Sequence, residues 1–481
     1  MSGTSVVLVT LVLYNGILIG VGLWARKRNQ SIEDFYLAGR RMGPWVAGIS
    51  ASASSSSAWT LLGVSGAAYA WGLPALWLFP ATVGGFLINW VWVAPRLKAL
   101  SAEEGALTLS AVVAPPALGA ARGTILKVAA VIIVFSFTFY IASQFEAAGK
   151  AFESAFQLSK QASILVGAAV VLSYTLLGGF WAVSVTDLVQ GLMMATAAVL
   201  LPLAALLAVG GVGPLLDGLA AVGGPSIPAG QFSGLAGIFF VLGMFGITIG
   251  YPGQPHVVNR YMALRDEASL RQGRVIALGW AVIVYTGMLV LGLSARVLFV
   301  DIIDAEQVFF QTAQELLPAV VAGVMLAAVL SAIMSTADSQ ILVTASSISH
   351  DWSLADGSSG DGLLRSRLTV VVVLVMATLL ALVWRADIFS RVLFAWVALG
   401  AAFGPVLVLR LAGRSVSARG TLTAMLAGFM STLVLSWFPN APGDVAERIL
   451  PFVFAFAVAI PASRRVADVV PAREGAGSYG A

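Results

Sequence analysis

Hydroxyl side chains crowd residues 49–60, Ile-Ser-Ala-Ser-Ala-Ser-Ser-Ser-Ser-Ala-Trp-Thr, in the middle of an otherwise apolar stretch. A second apolar stretch carries Ser335, Thr336, Asp338 and Ser339, and a third carries Asp187. Serines compete locally for the backbone's hydrogen bonds and loosen a helix. In lipid, backbone groups freed from a helix must face protein, water or a bound ion. The run therefore reads as a broken helix facing a cavity, or else as small residues that let neighbouring helices pack closely. The carboxylates narrow the choice. An Asp at the centre of a spanning helix costs about 2.5–3.5 kcal/mol, so it faces a partner or an aqueous path. Asp338 lies one turn after Ser335 on the same helical face, whereas Asp187 also fits a position near the interface, solvated from the cytoplasm. No Ser/His/Asp arrangement, phosphate loop or metal cluster is legible, so the polar set does not read as an enzyme's acid, base and nucleophile.

These residues need membrane-spanning helices to position them. The 481 residues are 59% hydrophobic and only 10% charged, with a mean hydropathy of +0.93, which predicts an all-α polytopic membrane protein. The absence of Cys excludes disulfides, Cys-ligated zinc and thiol catalysis. The net charge of +4 carries no nucleic-acid signal, because the basic residues sort by membrane side. Nothing in the chain calls for an obligatory protein partner. Its partners are expected to be a small-molecule solute and the lipid bilayer.

Apolar runs predict about 13 transmembrane helices, over residues 5–25, 43–72, 74–95, 123–153, 161–178, 181–209, 232–258, 274–298, 318–350, 366–384, 388–411, 418–438 and 447–463. The first has no basic stretch before it and no cleavage site, so it reads as a retained helix. With the N-terminus outside, only Lys150, Lys160, Arg296, Arg385, Arg391 and Arg448 of the 27 basic residues lie outside. That asymmetry predicts a cytoplasmic C-terminus, and the expected location is the cell's inner (plasma) membrane. A short amphipathic helix is expected within 299–317, before Pro318. Glu146 is intramembrane by these boundaries. His256 is expected to hydrogen-bond its own helix rather than bind metal.

Residues 43–411 divide into two sets of five helices, and the first helix of each set is polar and interrupted. In 232–258 the interruption comes from Gly243, Gly246, Gly250, Pro252, Gly253 and Pro255. Paired broken helices point to a transporter with inverted repeats and a site at the bilayer midplane. The expected organisation is an N-terminal helix and loop (1–42), a first repeat (43–209), an outer loop (210–231), a second repeat (232–411), two flanking helices (412–465) and a disordered tail (466–481).

The chain resembles the sodium:solute symporter family, most closely its sodium/proline branch. The resemblance is carried by Asp34-Phe35-Tyr36-Leu37-Ala38-Gly39-Arg40, Gly66-Ala67-Ala68-Tyr69, Gly250-Tyr251-Pro252-Gly253-Gln254-Pro255-His256 and Ala332-Ile333-Met334-Ser335-Thr336. It implies a leucine-transporter-like core of five plus five inverted helices, with sodium as the coupling ion. It also implies a sodium site made by the carbonyls of Ala53, Ser56 and Ala332 with the hydroxyls of Ser335 and Thr336. A second ion or proton site is implied at Asp187, Ser335, Asp338 and Ser339, as in the sialic acid branch. The solute pocket falls on Ser57, Trp59, Tyr140 and Tyr251, with Ile247 where proline symporters carry Trp. Ala58 stands where that branch has Gly, Ser55 where it has Asp, and Asp338 where it has a small or polar residue.

The expected function is sodium-coupled uptake of a small organic solute, proline or another amino acid. The alternatives are proton coupling through Asp338 or Asp187, and a solute sensor on the same scaffold, which would be expected to carry a signalling domain after the last helix. If Asp338 serves an ion or a proton, Asp338→Asn changes the sodium or the pH dependence of uptake. An uptake assay in which neither moves removes both roles.

Overall fold

The computed structural model describes residues 3–26, 32–175, 179–222, 234–299, 301–356, 362–384, 387–438 and 442–465. The tail expected to be disordered lies outside these residues. Helix α1 (Gly3–Arg26) is followed by two halves of one interrupted span, α2 (Pro44–Ser55) and α3 (Val64–Trp71). Next come α4 (Leu78–Ile88), α5 (Ala94–Glu103), α6 (Ala121–Phe156), α7 (Lys160–Thr175) and α8 (Phe180–Val209). The second interrupted span is α9 (Gly234–Gly250) with α10 (Pro255–Met262), and α11 (Glu267–Leu298) follows it. The chain then forms α12 (Val308–Leu316), α13 (Ala319–Ser346), α14 (Gly362–Val383), α15 (Ile388–Leu411), α16 (Ala418–Leu435) and α17 (Val445–Ala459). Among the described residues, eight helical stretches are long and apolar enough to cross a membrane, the continuous run through α4 and α5 and the first half of the second interrupted span among them. The other five expected spans are the interrupted α2/α3 and the helices α1, α7, α14 and α17.

Each interruption has a local cause. Pro44 opens α2, where its missing N–H costs nothing. Inside α2 the Ser52 hydroxyl donates to the Gly48 carbonyl at 2.8 Å and Ser55 to Ser52 at 3.0 Å, in competition with the ladder. At Ser56 the backbone leaves the helical region (φ −115°, ψ 65°), and a π-turn over Trp59–Gly63 restarts the helix. Between α9 and α10, Pro252 and Pro255 lack N–H donors, Tyr251–Gly253 tightens into a 3₁₀ turn, and Gln254 is extended (φ −93°, ψ 100°). The Gln254 amide donates to the Gly250 carbonyl at 3.1 Å and to the Trp396 carbonyl at 2.8 Å, so carbonyls at the break are not left bare.

Helix α2 packs against α8, α11 and α13, and against α10 of the other interrupted span. The turn between α9 and α10 lies on α15, the most buried span. Glycines permit that approach. A Cβ at Gly253 would sit 2.7 Å from the Gly400 carbonyl oxygen and 2.8 Å from its Cα. The expected amphipathic helix before Pro318 is α12. Residues 212–221 of the expected outer loop also form a helix (Val212–Ala221). The second interrupted span ends at Met262, four residues beyond its expected boundary. A short antiparallel ribbon, β1 (Arg414–Val416) with β2 (Ser463–Arg465), was not anticipated; it joins the ends of the α16–α17 hairpin. Asp266 caps α11 by accepting the Ser269 N–H at 2.7 Å. That bond and Arg265 hold its carboxyl well below the usual carboxylate range.

Three arginines that the sequence placed at the membrane surfaces are interior: Arg260, Arg391 and Arg448 are 0%, 1% and 5% exposed. Charge counting assigns them a side by sequence position alone, and each instead points into the helix bundle. Gly253→Ala is expected to lower stability by about 1–3 kcal/mol through overpacking against an unyielding backbone. Gly279→Ala, where a Cβ meets nothing within 4 Å, is expected to leave stability unchanged or raised. Thermal unfolding of the two purified variants in detergent checks the contrast.

Candidate functional site

The break after α2 lies directly against α13. The Ser335 hydroxyl is 3.3 Å from the Ala53 carbonyl and 3.3 Å from the Ala332 carbonyl. The neighbouring Thr336 hydroxyl donates to the Ser54 carbonyl at 3.2 Å. Ala53, Ala332 and Ser335 thus converge as hard oxygens between an unwound helix end and a continuous helix, with Thr336 one carbonyl away. Such a donor set suits a small hard cation without requiring a full negative charge. Ser56 is buried in the same break, where its hydroxyl lies 3.2 Å from the Tyr285 phenol.

One turn nearer the arginine-rich end of the bundle is a buried ion pair. Asp187 of α8 and Arg260 of α10 meet at 2.9 Å with both side chains fully buried. The same Asp187 oxygen accepts from Ser50 at 2.7 Å and from Ser54 at 3.1 Å. Arg260 also donates to the hydroxyls of Ser50 and Ser339 and to the His256 carbonyl. The guanidinium therefore binds two members of the sequence-predicted second site, Asp187 and Ser339. Ser339 is 2.9 Å from Ser54 and donates back to Ser335. Asp338 is buried on α13, where its charge bears on Arg260 and on Tyr14 of α1. The Tyr14 phenol bonds Ser331, two turns earlier on α13. Below this network a crevice of about 10 Å³ runs between Tyr36, Phe180, Arg260 and Ser346.

Beyond the hydroxyl cluster, the pocket residues separate into two linked groups. Tyr140 of α6 lies 3.4 Å from the Ser57 hydroxyl, and Ser57 also accepts the Trp59 N–H at 3.2 Å. The Gln144 side chain accepts the freed N–H of Ala58 at 3.1 Å. Tyr251 stacks edge-on to Trp396 at 4.7 Å, and Trp396 donates to the Ile247 carbonyl at 3.1 Å. Asn89 donates to the Tyr251 carbonyl at 3.2 Å. Tyr285 joins the two groups, because its phenol reaches Ser56 and Thr60 (both 3.2 Å) and faces Tyr251. Trp59 packs on Phe389 at 5.3 Å, and Phe389 on Trp71 at 5.3 Å, which covers the pocket on the side away from Arg260. There Lys150 binds Asp304 and Glu306, each at 2.6 Å, and Glu306 accepts the Phe389 N–H at 3.0 Å.

Sequence reasoning missed Tyr285, Trp396 and Phe389. A phenol in the middle of an apolar span needs a partner, and that signal was available for Tyr285 as it was for Tyr140. The expectation for His256 is corrected. Its imidazole sits edge-on to Phe137 at 5.3 Å and to Tyr140 at 6.0 Å, while its main-chain carbonyl receives the helix-internal bond from Arg260. Glu146 is 3% exposed and pairs with Lys160 at 2.5 Å.

The pattern of the sodium:solute symporter family matches residues 35–428. The osmoregulated proline transporter OpuE of Bacillus subtilis is 35% identical over 459 residues, covering 92% of each chain. The high-affinity proline transporter PutP of the same organism is 32% identical over 445 residues, covering 90% of this chain and 92% of that one. A Na+-coupled sialic acid symporter, solved in a substrate-bound outward-open state, superposes with a TM-score of 0.77 at 16% identity, over 96% of this chain and 99% of that chain. MhsT in complex with L-phenylalanine superposes with a TM-score of 0.55 at 12% identity, over 88% of this chain and 99% of that chain. The fold is therefore the leucine-transporter-like one.

Breaking a buried ion pair by removing one partner costs about 3–5 kcal/mol, whereas removing both leaves no uncompensated charge. Asp187→Asn and Arg260→Gln are each expected to lower the thermal midpoint strongly, and the double variant to recover part of the loss. Thermal unfolding of the three variants measures that coupling.

Proposed function

The chain belongs to the sodium:solute symporter family, and on that premise we propose that it is a secondary transporter carrying proline or a related amino acid inward with sodium. The observation that carries this reading is the meeting of Ala53, Ala332 and Ser335 oxygens at the break in α2, beside Ser57 and Tyr140. Sodium is cargo here, held by the carbonyls of Ala53, Ser56 and Ala332 and the hydroxyls of Ser335 and Thr336. The solute lies between the two interrupted spans, against Ser57, Trp59, Tyr140, Ile247 and Tyr251. The proline transporters among its relatives support an amino acid as the solute.

Residues 43–209 and 232–411 are the inverted repeats. The arginine-rich end faces the cytoplasm, so the N-terminus is outside and the C-terminus inside. Binding of the ion ties α2 to α13, and this is the contact that must differ between the outward- and inward-facing states. On the cytoplasmic side, Asp187 and Arg260 hold α8 and α10 together, and release inward requires that pair to part. A second cation at Asp187, Ser335, Asp338 and Ser339 competes with the Arg260 guanidinium for Asp187 and Ser339.

The burial of Asp338 and Asp187 beside this path favours proton coupling as the second reading. Uptake of labelled proline, other amino acids and small carboxylates into proteoliposomes separates the two. A sodium gradient alone is expected to drive uptake. Ser335→Ala and Thr336→Ala remove ligand oxygens whose bonds to a charged group are worth about 1.5–3 kcal/mol each. Each is expected to raise half-saturating sodium about tenfold or more. Uptake driven only by a proton gradient overturns the sodium reading.

A further inference from the structure

Outside the central pocket, a cavity of about 730 Å³ opens between α6, the start of α15, the end of α16 and the start of α17. Its walls are mainly apolar, with Phe139, Phe394 and Leu433 among them, and Trp384 and Trp437 stand with them. Arg391 lines the same space and is 1% exposed. Among the described residues, none of its three guanidinium nitrogens has a hydrogen-bond partner. The carboxylate of Glu146 stands 3.8 Å away, too far to accept a hydrogen bond, and its other oxygen is taken by Lys160 at 2.5 Å. The ring of Trp384, 5.1 Å below, offers only its π face. The other arginine of the cavity, Arg448, is bound to Asp444 at 2.6 Å.

A buried guanidinium whose donors are unused is costly. Its fork of N–H groups matches an oxyanion bidentately. The apolar walls require that oxyanion to carry apolar mass. The surface leading to the mouth agrees. Met430, Val434, Trp437 and Phe438 are 50%, 55%, 90% and 61% exposed and follow one side of α16 and the turn after it. We propose that this cavity binds a membrane phospholipid, with the phosphodiester on Arg391 and the acyl chains running out over the α16 ridge. A free phosphate or a soluble carboxylate satisfies the guanidinium but leaves the aromatic walls uncovered. The site also adjoins the central pocket, because Phe389, two residues before Arg391, stacks on Trp59 at 5.3 Å.

The test uses the full chain, delipidated in a neutral detergent and titrated with dioctanoyl-phosphatidylglycerol, followed by thermal midpoint and native mass spectrometry. Dioctanoylglycerol, which lacks the phosphate, and inorganic phosphate, which lacks the chains, are the parallel ligands. The phospholipid is expected to raise the midpoint of the unsubstituted protein and to remain bound in the spectrometer, while neither parallel ligand does so. Arg391→Gln is expected to weaken binding at least tenfold, and Arg391→Lys to restore part of it. Leu433→Trp, which fills the cavity and keeps the arginine, is expected to abolish it. Equal binding to the unsubstituted chain, Arg391→Gln and Leu433→Trp overturns the proposal, as does stabilisation by dioctanoylglycerol or inorganic phosphate equal to that by the phospholipid. The readout is binding, so it is independent of which solute or ion is transported.

Discussion

Backbone polar groups inside a bilayer cannot turn to water, and this constraint governs both interrupted spans. Each break frees N–H and C=O groups, and side chains from other helices or from the break itself meet them. Gln144 accepts the N–H of Ala58, Asn89 donates to the carbonyl of Tyr251, Gln254 donates to Gly250 and Trp396, and Ser335 reaches Ala53. The breaks therefore hold α6, α13 and α15 in register with α2 and α9/α10. Where the partner is a hydroxyl rather than an amide, as at Ser335 and Thr336, the same geometry offers oxygens that a cation can share. Helix packing and the proposed sodium site thus draw on one set of oxygens.

Charge follows the same logic. Arg260 is fully buried, and Asp187, Ser50, Ser339 and the His256 carbonyl between them take up its donors. These partners come from α8, α2, α13 and α10, so a single guanidinium ties four helices together. Such a pair is a poor source of net stability, since desolvation offsets much of the attraction. At the opposite end, closure rests on aromatic packing of Trp59, Phe389 and Trp71, with Lys150 between Asp304 and Glu306. The two ends of the bundle are therefore held by different physics: a desolvated ion pair at one, and ring packing beneath a partly exposed ion cluster at the other.

The sequence by itself determined the membrane class, the thirteen-span pattern and the places where two spans break, because these follow from local properties: apolar run length, prolines without N–H groups and serines that compete for carbonyls. Family resemblance carried Ser335 and Thr336 to the break, and the structure brings them to the carbonyls of Ala53 and Ser54. Only the tertiary structure decided which groups meet. Arg260 and Asp187 are 73 residues apart, Ser56 and Tyr285 are 229, and Ser335 and Ala53 are 282. No periodicity within one helix encodes such pairs, since they depend on how far each helix is rotated and displaced against its neighbours. Arg260 and Arg391 make the point most directly. By sequence position both belong at a membrane surface, and the packing of α10 and α15 turns them inward, one to four hydrogen-bond partners and the other to the wall of a cavity.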